Sequence, residues 1–274
     1  MTILLYKLLL GFIVGSVIAM LSYITHFVTK SGALALIFVA TIICGFGPWP
    51  TWGLIIIFFT SSGCIHLAKK MMNITKVESV TAKGHARDAW QVFAHSLPAI
   101  ISLILFYYTK KPLFLIGYVS AIAGATADTF GSEIGILSKK VPRSIVSFKP
   151  IEPGLSGGIS ILGSVASLLG SLLISLSFWL FYSWYHASVL PISLIVIVPF
   201  ICGIVTSLVD SLLGATLQVT YRCSICGKLT EQRYHHLQQT KQIHGISWLS
   251  NDWVNFFSSC FTVLFSWFIL HYIQ

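Results

Sequence analysis

"PLFLIGYVSAIAGATADTFGSEIG", residues 112–135, is an apolar run of bilayer-crossing length that ends on two carboxylates, Asp128 and Glu133. The 274-residue chain holds only eight acidic residues. Placing two of them five positions apart, where lipid makes charge expensive, marks this segment as more than an anchor.

The same apolar character extends in both directions. The chain is 55% hydrophobic and 9% charged, with a mean hydropathy of +0.85. A soluble domain of this length has too little interior to hide that surface. Candidate spans fall at 4–27, 32–47, 51–68, 91–108, 112–128, 157–183, 190–214 and 253–272. The pattern predicts an all-α, polytopic transmembrane bundle of seven or eight spans, a single membrane domain over 1–274. Its polar loops lie at 69–90, 129–156 and 215–252. The first span lacks a small-residue cleavage site and reads as a retained anchor. The second and third spans, short and joined by "GFGPWP", read as a hairpin or a re-entrant pair.

Alternating topology sorts the charges. Of 17 basic residues, 14 fall on one side, leaving only Lys7, Lys110 and Lys111 on the other. This places the basic side in the cytoplasm of a cell-membrane protein and both termini outside. A formal charge of +9 then reflects loops beside anionic lipid rather than nucleic-acid binding. Topology explains basic loops, but not why every acid joins them. Glu78, Asp88, Glu152, Glu231 and Asp252 lie in the basic loops, and Asp128, Glu133 and Asp210 lie where spans approach them. The chemistry is expected on that rim.

Several constellations there carry chemistry. In span five, Gly117, Ala121, Gly124, Asp128 and Ser132 form a small-residue stripe for close helix contact. In span seven, Thr206, Asp210, Gly214 and Gln218 repeat at i+4. Hard carboxylate oxygens from Asp128, Asp210 and Glu133 suit Mg²⁺, which keeps waters and adds substrate phosphates; the plain alternative is polar glue between two helices. Five helical residues rotate Glu133 about 140° from Asp128, so the two share a metal only if the chain breaks at Gly131. "KPIEPGLSGGIS", 149–160, offers Gly154, Gly157 and Gly158 before an apolar helix, with Ser156 as expected N-cap. Such a turn lets backbone N–H groups approach a phosphate, with Lys139, Lys140, Arg143 and Lys149 upstream. In "KGHARDAWQ", 83–91, Lys83, His85, Arg87 and Asp88 precede span four, and Arg87 has the fork that grips phosphate.

Six cysteines give no disulfide framework, since Cys44, Cys64, Cys202 and Cys260 lie in apolar runs. Cys223 and Cys226, with His235, His236 and His244 downstream, offer Zn²⁺ ligands, although the spacing does not match a common finger well; the alternative is a pair of reduced loop thiols.

Four ordered strings then resemble one family: "ADTFGSEIGILSKKVPRSIVSFKPIEPGLSGGISILGSVAS", "DSLLGATLQ", "CSICGKLTE" and "WLSNDWVN". The chain resembles the phytyl-phosphate kinase family of integral membrane proteins over essentially its whole length. The resemblance implies a kinase that converts an isoprenoid monophosphate to the diphosphate with a nucleoside triphosphate, CTP being the expected donor. Two positions depart from the family's usual pattern. Leu155 stands where a Thr hydroxyl is common, and His95–Ser96 where Asn–Gly is common.

Phosphoryl transfer requires metal, positive charge and positioning more than covalent chemistry. On this reading Asp128, Asp210 and Glu133 hold Mg²⁺, and the 154–158 turn with Arg143 or Lys149 cradles the nucleotide phosphates. Arg87 holds the acceptor phosphate, and the prenyl tail lies between the small-residue faces of spans five, six and seven. Asn251, Asp252 and Asn255 complete the site at the start of span eight. A transporter, which should carry its polar groups near the midplane, and a CTP-dependent lipid cytidylyltransferase are the alternatives.

Overall fold

The computed structural model describes residues 2–72, 86–185 and 191–273. Lys76, Glu78, Lys83 and His85 of the basic rim lie outside the described residues.

Among the described residues there are eight helices. They are α1 (Thr2–Ile24), α2 (Lys30–Phe46), α3 (Trp49–Met71), α4 (Ala89–Thr109), α5 (Pro112–Gly135), α6 (Ile161–Tyr185), α7 (Val198–Thr216) and α8 (Asn251–Ile273). A π-helical turn, Ser193–Ile197, leads into α7. The punctuation is chemical. Gly47 and Pro48 separate α2 from α3, and Lys110 in a left-handed conformation closes α4 before Pro112 opens α5. Seven helices are long and apolar enough to cross a membrane, confirming a polytopic helical bundle. The eighth, α2, has 17 residues, about 25 Å at 1.5 Å per residue against a hydrocarbon core of about 30 Å. The expected short pair is therefore unequal, because α3 has 23 residues.

Helix α5 is the axis of the bundle, touching α3, α4, α6, α7 and α8. It is buried at every position from Leu115 to Ala127. The contacts that let it sit there bring glycine backbone against hydroxyls and carbonyls of the neighbouring helices. A methyl group added at Gly131 would strike the Ser167 hydroxyl of α6, and one at Gly124 would lie 2.7 Å from the Thr206 hydroxyl of α7. Reciprocally, one at Gly163 or Gly170 of α6 would lie 2.9 Å from the carbonyls of Gly131 or Thr126. Lipid is as apolar as leucine, so close van der Waals packing and interhelical hydrogen bonds drive this association. Ser171 donates to the Phe200 carbonyl at 2.8 Å, Tyr118 to the Thr51 carbonyl at 2.8 Å, and Ser102 to the Phe114 carbonyl at 2.7 Å.

This packing corrects one expectation. Gly131 is a contact residue, not a break, and α5 runs unbroken two turns beyond Asp128 to Gly135. The small-residue faces of α5, α6 and α7 meet closely at these glycines and, at the polar end, also wall a cavity through Gly131, Gly163, Ser167 and Ser207.

The alternating helices bring the starts of α2, α4, α6 and α8 and the ends of α1, α3, α5 and α7 to one end, the polar end. There, β1 (Arg143–Ser144) pairs antiparallel with β2 (Gly158–Ile159). Between α7 and α8 stands a small lobe. Its three-stranded sheet has β3 (Thr220–Arg222) between β4 (Leu229–Thr230) and β7 (Lys241–His244), and a hairpin of β5 (Tyr234–His235) and β6 (Gln238–Gln239) lies alongside in sequence.

The basic-loop distribution predicts that Lys139→Cys, at the polar end, is shielded in intact cells from a membrane-impermeant maleimide. Lys111→Cys, at the other end, should be labelled. Equal labelling of both would refute the assigned sidedness.

Candidate functional site

A cavity of about 480 Å³ opens at the polar end. Arg87, His95, Asp128, Glu133, the 154–158 turn, Asp210, Asn251, Asp252 and Asn255 all line it. Residues from four helices, the segment before α4 and the glycine turn, separated by up to 168 positions, thus face one space.

Arg87 is placed by its neighbours. Asp88 caps α4 in a capping box, its carboxylate accepting from Gln91 N at 3.0 Å while Asp88 N donates to Gln91 Oε1 at 3.2 Å. The Arg87 backbone is pinned to the segment after α1, donating to the Phe27 carbonyl and accepting from Thr29 N, both at 3.0 Å. Its guanidinium turns inward between the rings of Phe27 and Phe58, 5.3 and 5.7 Å from their centroids, and donates to Thr129 Oγ1 at 3.0 Å. Aromatic faces hold the planar cation at the cavity wall, within electrostatic reach of the Glu133 and Asp128 carboxylates.

Asp128 and Asp210 stand on adjacent helices, close enough for each charge to affect the other. Asp210 Oδ2 accepts from the Ser258 hydroxyl of α8 at 2.9 Å. Glu133, rotated away on the unbroken helix, forms an ion pair with Lys69 of α3 at 2.5 Å. Two buried polar atoms on residues lining the cavity, His95 Nδ1 and Asn255 Oδ1, have no hydrogen-bond partner among the described residues. Orphans of this kind are rare in native interiors and mark places where a ligand or water completes the set.

The glycine turn differs from its expected use. Ser156 is not the N-cap of α6. That role belongs to Ser160, whose hydroxyl accepts from Gly163 N at 3.1 Å, because β2 intervenes before the helix. Ser156 is clamped instead, donating from its backbone N at 3.1 Å and its hydroxyl at 2.6 Å to Glu231 Oε1. Gly157, at φ +82°, presses on α7, where an added methyl would lie 2.7 Å from Ala215 Cα. Gly214 meets Ser156 in the same contact. The glycines thus dock the loop on α7 and deliver it to the cavity wall.

Arg143 and Lys149 do not line the cavity. Arg143 is exposed and donates to the Phe148 carbonyl at 3.0 Å, and Lys149 is exposed in the same hairpin. The lysines in the wall are Lys69 and Lys140. Sequence reading missed Thr129, which orients Arg87, and Glu231, which clamps the turn. Glu231 closes the string "CSICGKLTE", and that was the available signal.

A second, mostly apolar cleft of about 300 Å³ lies between α4 and α8, lined by Trp90, Ala94, Leu97, Trp253 and Phe256. It shares Ser250 and Asp252 with the polar cavity, so the two adjoin.

Cys223, Cys226, His235 and His236 converge in the lobe, apart from the cavity. Backbone N–H groups of Cys226 and Ile225 and the His235 ring lower the Cys223 thiol to about 7. Although covered by its own loop, the sulfur sits in a thin lobe, so those hydrogen bonds outweigh desolvation. His244 is not in the cluster; its Nε2 lies 3.0 Å from the Thr216 carbonyl.

The fold and cavity define a polytopic helical membrane protein with a polar site at one end of its bundle and an apolar cleft beside it. The chain belongs to the family described as integral membrane protein DUF92, whose profile matches residues 13–263. It is 29% identical to Protein PGR of Arabidopsis thaliana over 275 residues, 94% of each chain. It is 39% identical to an uncharacterized membrane protein of Methanocaldococcus jannaschii over 132 residues, 48% of this chain and 52% of that one. No solved structure matches.

Docking of the turn on α7 predicts that Gly157→Ala costs about 1–3 kcal/mol, through strained φ and overpacking. It should lower the thermal midpoint in detergent. Gly63→Ala is the control, since a methyl there meets nothing within 4 Å and should not lower it.

Proposed function

We propose that the chain is an isoprenoid-monophosphate kinase acting at the cytoplasmic face of the cell membrane. It transfers the terminal phosphoryl group of a nucleoside triphosphate, CTP by family resemblance, to a prenyl phosphate. One observation carries this reading: a cavity lined by an aromatic-held Arg87, the paired Asp128 and Asp210 and two orphaned polar atoms adjoins an apolar cleft between α4 and α8.

An acceptor with an ionised head and an apolar tail fits that pairing. The cleft beside Trp90 and Trp253, whose ring centroids are 6.2 Å apart, suits the tail. Arg87 suits the phosphate, bound as a bidentate anion. Because that phosphate is already anionic, its oxygen attacks the terminal phosphorus without a strong general base, and the bond to the leaving nucleoside diphosphate breaks in line. His95 and Asn255 also line this space, and each holds a buried polar atom without a hydrogen-bond partner among the described residues. Lys140 at the wall, and Lys69 with its Glu133 partner, add positive charge for the nucleotide phosphates.

The oxygen donors of Asp128, Asp210 and Asn255 suit Mg²⁺, which prefers few protein ligands and several waters. No three carboxylates crowd within ligand distance of one another among the described residues, as is consistent with a metal completed by water and substrate phosphate. Mg²⁺ when bound would neutralise the phosphate charge that develops in transfer. Glu133, held by Lys69, supports the wall rather than the metal.

The expected result with purified protein, phytyl or geranylgeranyl monophosphate, Mg²⁺ and labelled nucleoside triphosphates is lipid diphosphate with release of nucleoside diphosphate. Release of pyrophosphate would transfer the assignment to a cytidylyltransferase, and no lipid product with any donor or chain length would end the proposal. Asp128→Asn should lower turnover by about 10²–10³-fold, as for loss of one preorganised charge, while the variant still inserts and folds. Wild-type turnover would remove Asp128 from the mechanism.

A further inference from the structure

The lobe between α7 and α8 has too little core to hold itself together. Its strands are two to four residues long, and its buried apolar side chains are few, Val219, Tyr221 and Leu249 chief among them. Small units of this kind need a staple, since their apolar burial does not offset the entropy of ordering them.

A staple is available. Cys223 and Cys226 lie on the turn after β3, where Gly227 at φ +70° lets the chain reverse and Gly227 N donates to the Cys223 carbonyl at 3.0 Å. The N–H groups of Ile225 and Cys226 point at the Cys223 sulfur, as they would to support a thiolate. From the other side comes the β5–β6 hairpin, whose two turn residues, His236 at φ 54° and Leu237 at φ 60°, are both left-handed without being glycine. Leu237 is fully exposed at the tip and gains nothing there, whereas His236 is delivered to the cysteines.

The four ligand atoms all lie within 4.8 Å of one another. Around a tetrahedral zinc ion, bond lengths of about 2.3 Å to sulfur and 2.0–2.1 Å to nitrogen set ligand separations of about 3.3–3.8 Å. The Cys226 sulfur and His235 Nδ1 are already 3.6 Å apart. Arg222, Lys228, Arg233 and Lys241 make the lobe cationic, so a dication needs charge-neutralising ligands, and two thiolates supply them.

We propose that Cys223, Cys226, His235 and His236 bind one structural Zn²⁺ that fixes the lobe and, through it, the wall of the polar cavity. Closed four-ligand coordination leaves no open position, so the metal has a structural rather than a catalytic role. Its influence travels a short path. β4 follows the cysteine turn directly, and the next residue is Glu231, which holds both donors of Ser156 in the glycine turn. Glu231 is a positioning residue, and the zinc fixes the strand that presents it.

The test uses the full chain in detergent, purified without chelators or a metal-affinity step. Elemental analysis should find about one zinc per chain. Cobalt exchanged into the protein should give tetrahedral d–d bands with thiolate charge transfer. Cys226→Ser should lose the metal, whereas Cys260→Ser, far from the lobe, should keep it. If Cys226→Ser fails to fold, His236→Cys should retain cobalt and raise the charge-transfer band by about half, three thiolates replacing two. Metal-free protein with no tetrahedral cobalt spectrum overturns the site. So does recovery of Cys223 and Cys226 as a disulfide, or an unchanged spectrum in Cys226→Ser or His236→Cys. These readouts are independent of lipid phosphorylation, so they stand or fall separately from the kinase reading.

Discussion

The structure depends on how closely α5 can approach its neighbours. In lipid, burying leucines against leucines gains little, so a bundle is held by contacts that lipid tails make poorly. Here those contacts set glycine backbone against small polar side chains and carbonyls: Gly131 against the Ser167 hydroxyl and against Gly163, Gly124 against the Thr206 side chain, and Gly170 against the Thr126 carbonyl. They allow one helix to be surrounded by five others. They also bring Asp128 and Asp210 into range of each other from different helices. A bulkier stripe would separate the helices and the carboxylates together.

Around that axis, the polar end is assembled from restraints that each satisfy a local need and also aim a functional group. The capping box at Asp88 starts α4 and leaves Arg87 extended, where the 27–29 segment pins its backbone and two phenylalanines sandwich its cation. The contact of Gly157 and Gly214 seats a loop on α7, while Glu231, reaching from the lobe, holds that loop against the cavity. Rigid positioning of this kind is what phosphoryl transfer draws on, because its reacting groups need orientation and charge more than covalent participation. The apolar cleft between α4 and α8 adjoins this site at Ser250 and Asp252, so that under the proposed function the head and the tail of an amphiphile would each meet a matching surface.

Some expectations failed for reasons that can be named. Arg143 and Lys149 follow the acid-bearing helix in sequence and precede the glycine turn, yet the β1–β2 hairpin turns them outward. Ser156 looked like a helix cap because glycines and an apolar run follow it, but two strand residues intervene and Ser160 takes the role. Gly131 looked like a hinge because glycine permits one. Its lack of a side chain serves packing instead, so Glu133 stays a helical rotation away from Asp128 and pairs with Lys69. In each case the residue's local preference was read correctly, while the deciding partner lay in a distant segment.

By itself the sequence determined the membrane class, most helix positions, the common rim of the acids and the candidacy of Arg87, Asp128, Asp210 and the cysteine pair. Hydropathy, alternating topology and charge cost act on contiguous residues, so they can be read along one chain. Only the tertiary structure decided which groups share a cavity, that Glu231 clamps Ser156 across 75 positions, and that an apolar cleft lies between α4 and α8. Those outcomes rest on which helix faces meet. That depends on sub-ångström clearances between distant small residues, and no local pattern encodes them.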